Sequence, residues 1–317
     1  MDYIKLFDYY GNIPPMTTKN RSASYKLLHS SRRYIIRKLA VDILLPYYYR
    51  KHREITSNVA ENTIISLTSF PKRLSTLWIV IESLKHQELI PEKIVLYLSE
   101  EEVGNKNNIP QSLLAEEDSI FEIRLRSGKL RAHGKYHFAM KDFPDKNIVT
   151  VDDDMIYPPN MLKTLIGGHL KFPNYVITNC TAQVLLDEKN DVKTYNEWKR
   201  SFSDTDYIGE YCELDNMIPM GVCGVLYPPH ILYEDTLNFD IARQLSFLAD
   251  DLWLYSQIKL SGSKVIKTNF NTLSCIPIEI EDNVTLTSVN VGEHQNDVQF
   301  NQLRDYYIKK ANIDIVR

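Results

Sequence analysis

An apolar run, Ile148-Val149-Thr150-Val151, ends in three consecutive aspartates, Asp152, Asp153 and Asp154, followed by Met155-Ile156-Tyr157-Pro158-Pro159. Four β-prone residues in a row suit a strand covered on both faces. Side chains alternate along a strand, which predicts Asp152 and Asp154 on one side and Asp153 on the other. The carboxyl ends of strands are where open α/β sheets bind their ligands. Carboxylates this close repel unless a proton or a cation relieves them. Mg²⁺ or Mn²⁺ is the natural relief, because it takes one or two carboxylates and lets phosphate oxygens complete its shell. Acidic triplets also occur on solvated loops, and it is the fusion to a hydrophobic strand that favours a metal–diphosphate role here.

The chain around this segment alternates strand and helix signals. Residues 63–68, 94–98 and 121–125 read as strands, and residues 74–86, 110–116 and 135–141 as helices between them. The helix over 74–86 places Leu77, Val80, Ile81 and Leu84 on one stripe. Pro158-Pro159 opens a helix to Leu170, and residues 175–178 and 264–267 give further strands. Helices are also predicted over 247–260 and 297–310. Strands separated by helices imply βαβ units, and hence an α/β, Rossmann-like, mostly parallel central sheet flanked by helices. Residues 183–218 break the pattern and read as a long functional loop or subdomain. Gly221 and Gly224 in the stretch after it suggest close backbone approach or simply a turn.

At 317 residues, 44% apolar and 25% charged, the chain is ordinary for a globular protein of one large or two small domains. Cys180, Cys212, Cys223 and Cys275 lack CxxC pairing and read as reduced thiols of a cytoplasmic protein. The N-terminus is too polar for a signal peptide, and no stretch approaches the ~20 apolar residues of a membrane span.

Charge is unevenly spread. Residues 1–53 hold 11 Lys and Arg against three acids, a net of +8, so the overall −4 leaves −12 for the remaining 264 residues. Basic residues there alternate with aliphatic ones and the Tyr47-Tyr48-Tyr49 cluster. Such a mixture describes either an interfacial segment on an anionic membrane, over residues 19–53, or an amphipathic helix packed on the rest of the protein. Nucleic acid is disfavoured as a partner, because the remainder is acidic and carries no binding motif.

Four segments occur in order: Ile65-Ser66-Leu67-Thr68-Ser69-Phe70-Pro71-Lys72-Arg73, the Asp152–Pro158 segment, Gly221-Val222-Cys223-Gly224-Val225-Leu226-Tyr227-Pro228-Pro229, and Asp250-Asp251-Leu252-Trp253-Leu254. Together they resemble a bacterial GT-A fold glycosyltransferase, family 2-like, of the kind that builds surface polysaccharide. The resemblance covers residues 62–300 and implies a catalytic domain over 61–317, with a nucleotide-binding half at 61–180 and an acceptor-binding half at 181–317. Residues 1–60 would then be a basic helical extension.

The resemblance also implies roles. Asp152 would meet the ribose or sugar and share the metal, Asp154 would hold the metal, and Asp153 would assist. Thr68, Ser69 and Arg73 would line the nucleotide site, although a helix cap by Ser69 or Ser75 and a solvated Arg73 is an equally simple reading. Lys135 would lie over the nucleotide. Asp251 would be the base of an inverting transfer, with Asp250 orienting it; aspartates also suit a helix N-terminus on dipole grounds alone. His294 would reach the ion, or be an ordinary surface histidine. The implied partners are a nucleotide-sugar donor, UDP-linked by default, and a glycan or lipid-linked acceptor hydroxyl. The alternative is a nucleotidyltransferase or a metal-dependent phosphotransfer enzyme. Thr68–Arg73 contains no glycine where such nucleotidyltransferases commonly carry a Gly-rich phosphate loop.

Overall fold

The computed structural model of the chain describes residues 3–13, 23–52, 58–200, 209–213, 215–279 and 294–317. Parts of the expected loop at 183–218 and of the basic segment at 19–53 lie outside the described residues, as do residues 291–293 before His294.

Thirteen strands are described: β1 (Val59–Thr68), β2 (Ile90–Ser99), β3 (Phe121–Arg126), β4 (Asn147–Thr150), β5 (Met155–Ile156), β6 (Val176–Thr178), β7 (Thr181–Gln183), β8 (Lys199–Arg200), β9 (Tyr211–Cys212), β10 (Met217–Pro219), β11 (Val225–Tyr227), β12 (Val265–Thr268) and β13 (Ile276–Pro277). Eight form one sheet in the order β3-β2-β1-β4-β11-β6-β12-β9. Its first four strands are parallel, as the βαβ reading predicts. The sheet turns mixed at β11, which runs antiparallel to both β4 and β6. Residues 63–67 of β1 and 94–98 of β2 are all buried, because helices cover both faces.

The helices are α1 (Tyr3–Gly11), α2 (Ala23–Leu39), α3 (Leu45–Lys51), α4 (Leu77–Lys85), α5 (Glu100–Val103), α6 (Gln111–Leu114), α7 (Gly134–Asp142), α8 (Met161–Lys171), α9 (Phe239–Ser246), α10 (Asp250–Ser261) and α11 (Gln295–Ala311). Helix α10 is buried nearly all round, with Leu252, Trp253, Leu254, Tyr255 and Ile258 at or below 2% exposure. That burial fixes where its first residues, Asp250 and Asp251, emerge. None of the described helices is long and apolar enough to cross a membrane.

The N-terminal helices resolve one of the two open readings in part. Leu6, Phe7, Tyr10, Leu45 and Tyr49 are buried in the same core as β1 and α4. Tyr3 stacks on Tyr48 with ring centroids 4.1 Å apart, and its hydroxyl donates to the His86 carbonyl at 2.7 Å. One face of this segment therefore packs on the sheet domain. A single π-helical turn, Ala40–Leu44, joins α2 to α3 and keeps Ala40, Leu45 and Tyr49 on the buried side. None of the four cysteines forms a disulfide; three are buried and Cys212 is half-buried.

Candidate functional site

The site is built at the carboxyl ends of β1 and β4. Strand β4 stops at Thr150, and the Val151 amide makes one last bond to the Ser66 carbonyl at 3.1 Å. The aspartates thus lie in a turn between β4 and β5 rather than on the strand. This corrects the expected alternation: Asp153 and Asp154 both meet Arg73, and Asp152 meets Lys135 instead. The turn is pinned from two sides. The buried Tyr157 hydroxyl accepts from the Asp152 amide at 2.8 Å, and the Asp154 carbonyl accepts from the Ile278 amide at 2.7 Å.

Ser69 and Arg73, in the loop after β1, converge on this turn. Ser69 Oγ donates to Asp153 Oδ2 at 2.5 Å. Arg73 pairs with Asp153 and lies 3.0 Å from Asp154 Oδ2. Thr68, by contrast, donates its hydroxyl to the Tyr97 carbonyl at 2.8 Å, a bond inside the sheet. Arg73 is not the solvated residue of the simpler reading.

Lys135 is the second hub. It sits in the first turn of α7, where Ser66 Oγ donates to its carbonyl, and its side chain is only 6% exposed. Its ammonium lies 2.7 Å from Asp152 Oδ1 and 3.0 Å from Asp250 Oδ2. The second contact is an ion pair without hydrogen-bond alignment, so Asp250 Oδ2 is left with no aligned donor. One cation thereby bridges carboxylates that are almost a hundred positions apart in sequence.

Gly221 closes the cluster from above. Its amide donates to Asp251 Oδ1 at 3.2 Å. A Cβ at this glycine would stand 3.0 Å from Lys135 Nζ and 3.2 Å from Asp152 Oδ1. The expected close backbone approach is therefore real at Gly221. At Gly224 a positive φ of 93° is joined by a close approach, since a Cβ there would stand 2.9 Å from Met161 Sδ.

Burial and crowding set the protonation states. Burial, then the charge of Asp152, pushes Asp154 up to about 6, with Arg73 opposing. Burial also raises Asp153 despite Arg73 and Ser69. Burial would raise Asp250 too, but the Lys135 ammonium holds it below the usual carboxylate range. Asp251 is pushed well above that range by burial and then by the charges of Asp250 and Asp152. For Lys135, burial works against its charge, yet Asp152, Asp250 and Asp251 outweigh it and raise the ammonium well above the lysine range. The two adjacent aspartates are thus driven in opposite directions, the pattern that separates a fixed anion from a proton carrier.

His133 and Tyr157 belong to this cluster and were not legible as site residues. His133 is fully buried between the Tyr136 hydroxyl and the Ser246 carbonyl, 2.9 and 2.8 Å away, and burial keeps it neutral. One partner is three residues away and the other more than a hundred, so only its place two residues before Lys135 offered a signal.

Among its described contacts, His294 has none to the acidic turn. It caps α11 in the left-handed conformation, with Nδ1 3.4 Å from Asp297 Oδ2. It lines a cavity of about 290 Å³ with Trp198, Thr194 and Phe300. Among the described residues, no three His, Cys, Asp or Glu side chains are gathered as a metal cage. Asp152 and Asp154 nonetheless fit a hard divalent ion: both are oxygen donors, and Asp154 carries the repulsion that such an ion relieves.

No family model and no curated protein matches the chain. Among solved structures it is similar to the mannosyltransferase PcManGT from Pyrobaculum calidifontis in complex with GDP-Man and Mn²⁺, at 10% identity over 87% of this chain and 74% of that one, with a TM-score of 0.46. It is also similar to HddC from Yersinia pseudotuberculosis complexed with GMP-PN, at 12% identity over 52% of this chain and 76% of that one, with a TM-score of 0.34. A second structure of HddC gives 14% identity over 58% and 85%, again with a TM-score of 0.34. Likeness at this level concerns the course of the chain and says nothing of what this protein binds.

Proposed function

We propose that this protein is a metal-dependent, inverting glycosyltransferase, moving a sugar from a nucleotide-sugar donor to a hydroxyl of a glycan or lipid-linked acceptor, as in bacterial surface polysaccharide synthesis. The observation that supports it most is the bridge by the buried Lys135, which puts the half-buried acidic turn and the N-terminus of α10 in one cluster. Asp152 and Asp154 would supply oxygens to hold Mn²⁺ or Mg²⁺ beside the donor diphosphate. Such an ion would offset the charge on the departing nucleoside diphosphate. Arg73 and Lys135 supply fixed positive charge beside it, oriented by Asp153 and Asp250.

Asp251 then takes the acceptor proton. As the acceptor oxygen bonds to the anomeric carbon, the bond from that carbon to the diphosphate oxygen breaks, and the pair of electrons leaves with the nucleoside diphosphate. The proton passes to the Asp251 carboxylate, whose raised pKa makes it a better base than an exposed aspartate. The Gly221 amide holds the Asp251 oxygen at 3.2 Å and fixes its aim. His294, 3.4 Å from Asp297, is not needed for this scheme.

The test is a thermal-shift panel of UDP, GDP and CMP sugars, each with and without Mn²⁺. Stabilisation by one sugar nucleotide, only when metal is present, supports the reading and names the base. No response to any sugar nucleotide overturns it.

A further inference from the structure

Twelve large hydrophobic side chains are exposed among the described residues, and eight of them lie in the first 52. Six of these, Tyr34, Ile35, Leu39, Ile43, Leu44 and Tyr47, follow one another along α2, the π-helical turn and α3. Tyr47 is 66% exposed, Ile43 57% and Ile35 54%. They share one face because the spacing is mostly three or four residues. The π-helical turn widens that face: it moves the buried position from the 41/44 phase to Leu45, so Ile43 and Leu44 both face outward. Arg37 and Lys51 approach the rings of Tyr34 and Tyr47, but among the described residues the stripe stays exposed to solvent while the opposite face of the helix is buried.

Basic residues frame the stripe. Arg32, Lys38, Arg50 and Lys51 are exposed around it, and Asp42 is the one exposed acid between Ser31 and His52. We infer that this face, from Tyr34 to Lys51, docks on an anionic lipid bilayer, with the tyrosines at headgroup depth and the lysines and arginines against lipid phosphates. Charge favours a bilayer over a second copy of the chain. An isologous dimer through this face would set two basic rims against each other. The rest of the molecule, at −12, is repelled by the same lipid and so is oriented away from it.

The docking helix is rigidly tied to the site. Arg33 donates to the Leu273 carbonyl at 3.2 Å, and the buried Arg37 pairs with Glu279. The neighbouring Ile278 amide holds the Asp154 carbonyl. Lipid contact is read without catalysis, so it stands or falls apart from the glycosyl-transfer reading.

The experiment is flotation of the full chain with phosphatidylcholine vesicles and with vesicles that also contain phosphatidylglycerol. The chain is expected to float with the anionic vesicles, and to float less as salt rises. Ile43→Asp with Tyr47→Ser should lower the bound fraction by about tenfold or more, and Lys38→Glu with Lys51→Glu likewise. Ile308→Asp, at an exposed hydrophobic on α11, should leave it unchanged. All these positions are exposed, and unchanged melting temperatures would show the fold intact. Binding to neither vesicle, or binding indifferent to both double variants, would overturn the inference. So would a dimer in solution that Ile43→Asp dissociates while vesicle binding is absent.

Discussion

The ammonium of Lys135 lies 2.7 Å from Oδ1 of Asp152, buried at the start of α7, with the acidic turn beyond the following strand. This pair joins the half of the site written around residue 152 to the half written around residue 250. Lys135→Met keeps the side chain's bulk but strands Asp152, Asp250 and Asp251 without their cation. Removing one member of a buried ion pair costs roughly 3–5 kcal/mol. A loss of that size in chemical denaturation is expected, together with loss of nucleotide-dependent stabilisation. A stability unchanged to within the error would show that Lys135 is not the hub.

Gly221→Ala separates function from stability. The added methyl would stand 3.0 Å from Lys135 Nζ, the end of a side chain that has to move by a few tenths of an ångström. Stability should fall little, while transfer activity falls about tenfold or more as Lys135 and Asp251 lose their alignment. Equal activity in the variant would mean that the approach is not tuned.

Asp251→Asn removes the proposed proton acceptor and keeps its shape. Transfer should fall by about 10² to 10⁴, while metal-dependent donor binding in thermal shift persists. Because burial and neighbouring anions raise the pKa of Asp251, its ionised form opposes folding at neutral pH. The variant should therefore melt no lower than the parent at pH 7.5.

If Asp154 holds the ion as proposed, metal binding should depend on pH. Its folded-state pKa, pushed up to about 6, lies above that of the unfolded chain. The metal-free protein is thus favoured by this group at low pH, and loses that contribution as pH rises through about 6. Mn²⁺ binds the ionised carboxylate, so the rise in melting temperature on adding Mn²⁺ and nucleotide should be larger at pH 7.5 than at pH 5. Asp154→Asn should abolish the metal response at both values. A response independent of pH would place the ion elsewhere.

The N-terminal helices should contribute to the stability of the sheet domain. Leu45 is fully buried in the core that includes β1 and α4. Leu45→Ala is expected to cost about 2–5 kcal/mol in denaturant unfolding. A cost near zero would show that this segment only rests on the domain.

The parallel half of the sheet was legible because β1, β2 and β4 carry runs of mostly apolar residues and β3 alternates apolar with charged ones, with helical periodicity between them. The antiparallel insertion of β11 was not, since Val225-Leu226-Tyr227 is three residues long and carries no period of its own. Its partners, Thr150 and Thr178, are chosen by the gap between β4 and β6. Within the site, the acidic turn, Lys135 and the Asp250-Asp251 pair were visible as residue types in sequence context. The grouping of Asp153 with Asp154 on Arg73 was not, because it depends on β4 ending at Thr150.

The sequence by itself determined that a buried strand must end in charge, that helices and strands alternate around it, and that a basic, tyrosine-rich segment precedes an acidic remainder. Those features are local: each follows from neighbouring side chains and their period. Tertiary structure alone decided which carboxylate meets which cation, that Gly221 comes within reach of Lys135, and which face of the N-terminal helices stays uncovered. These depend on distances between segments a hundred residues apart, which are set by packing.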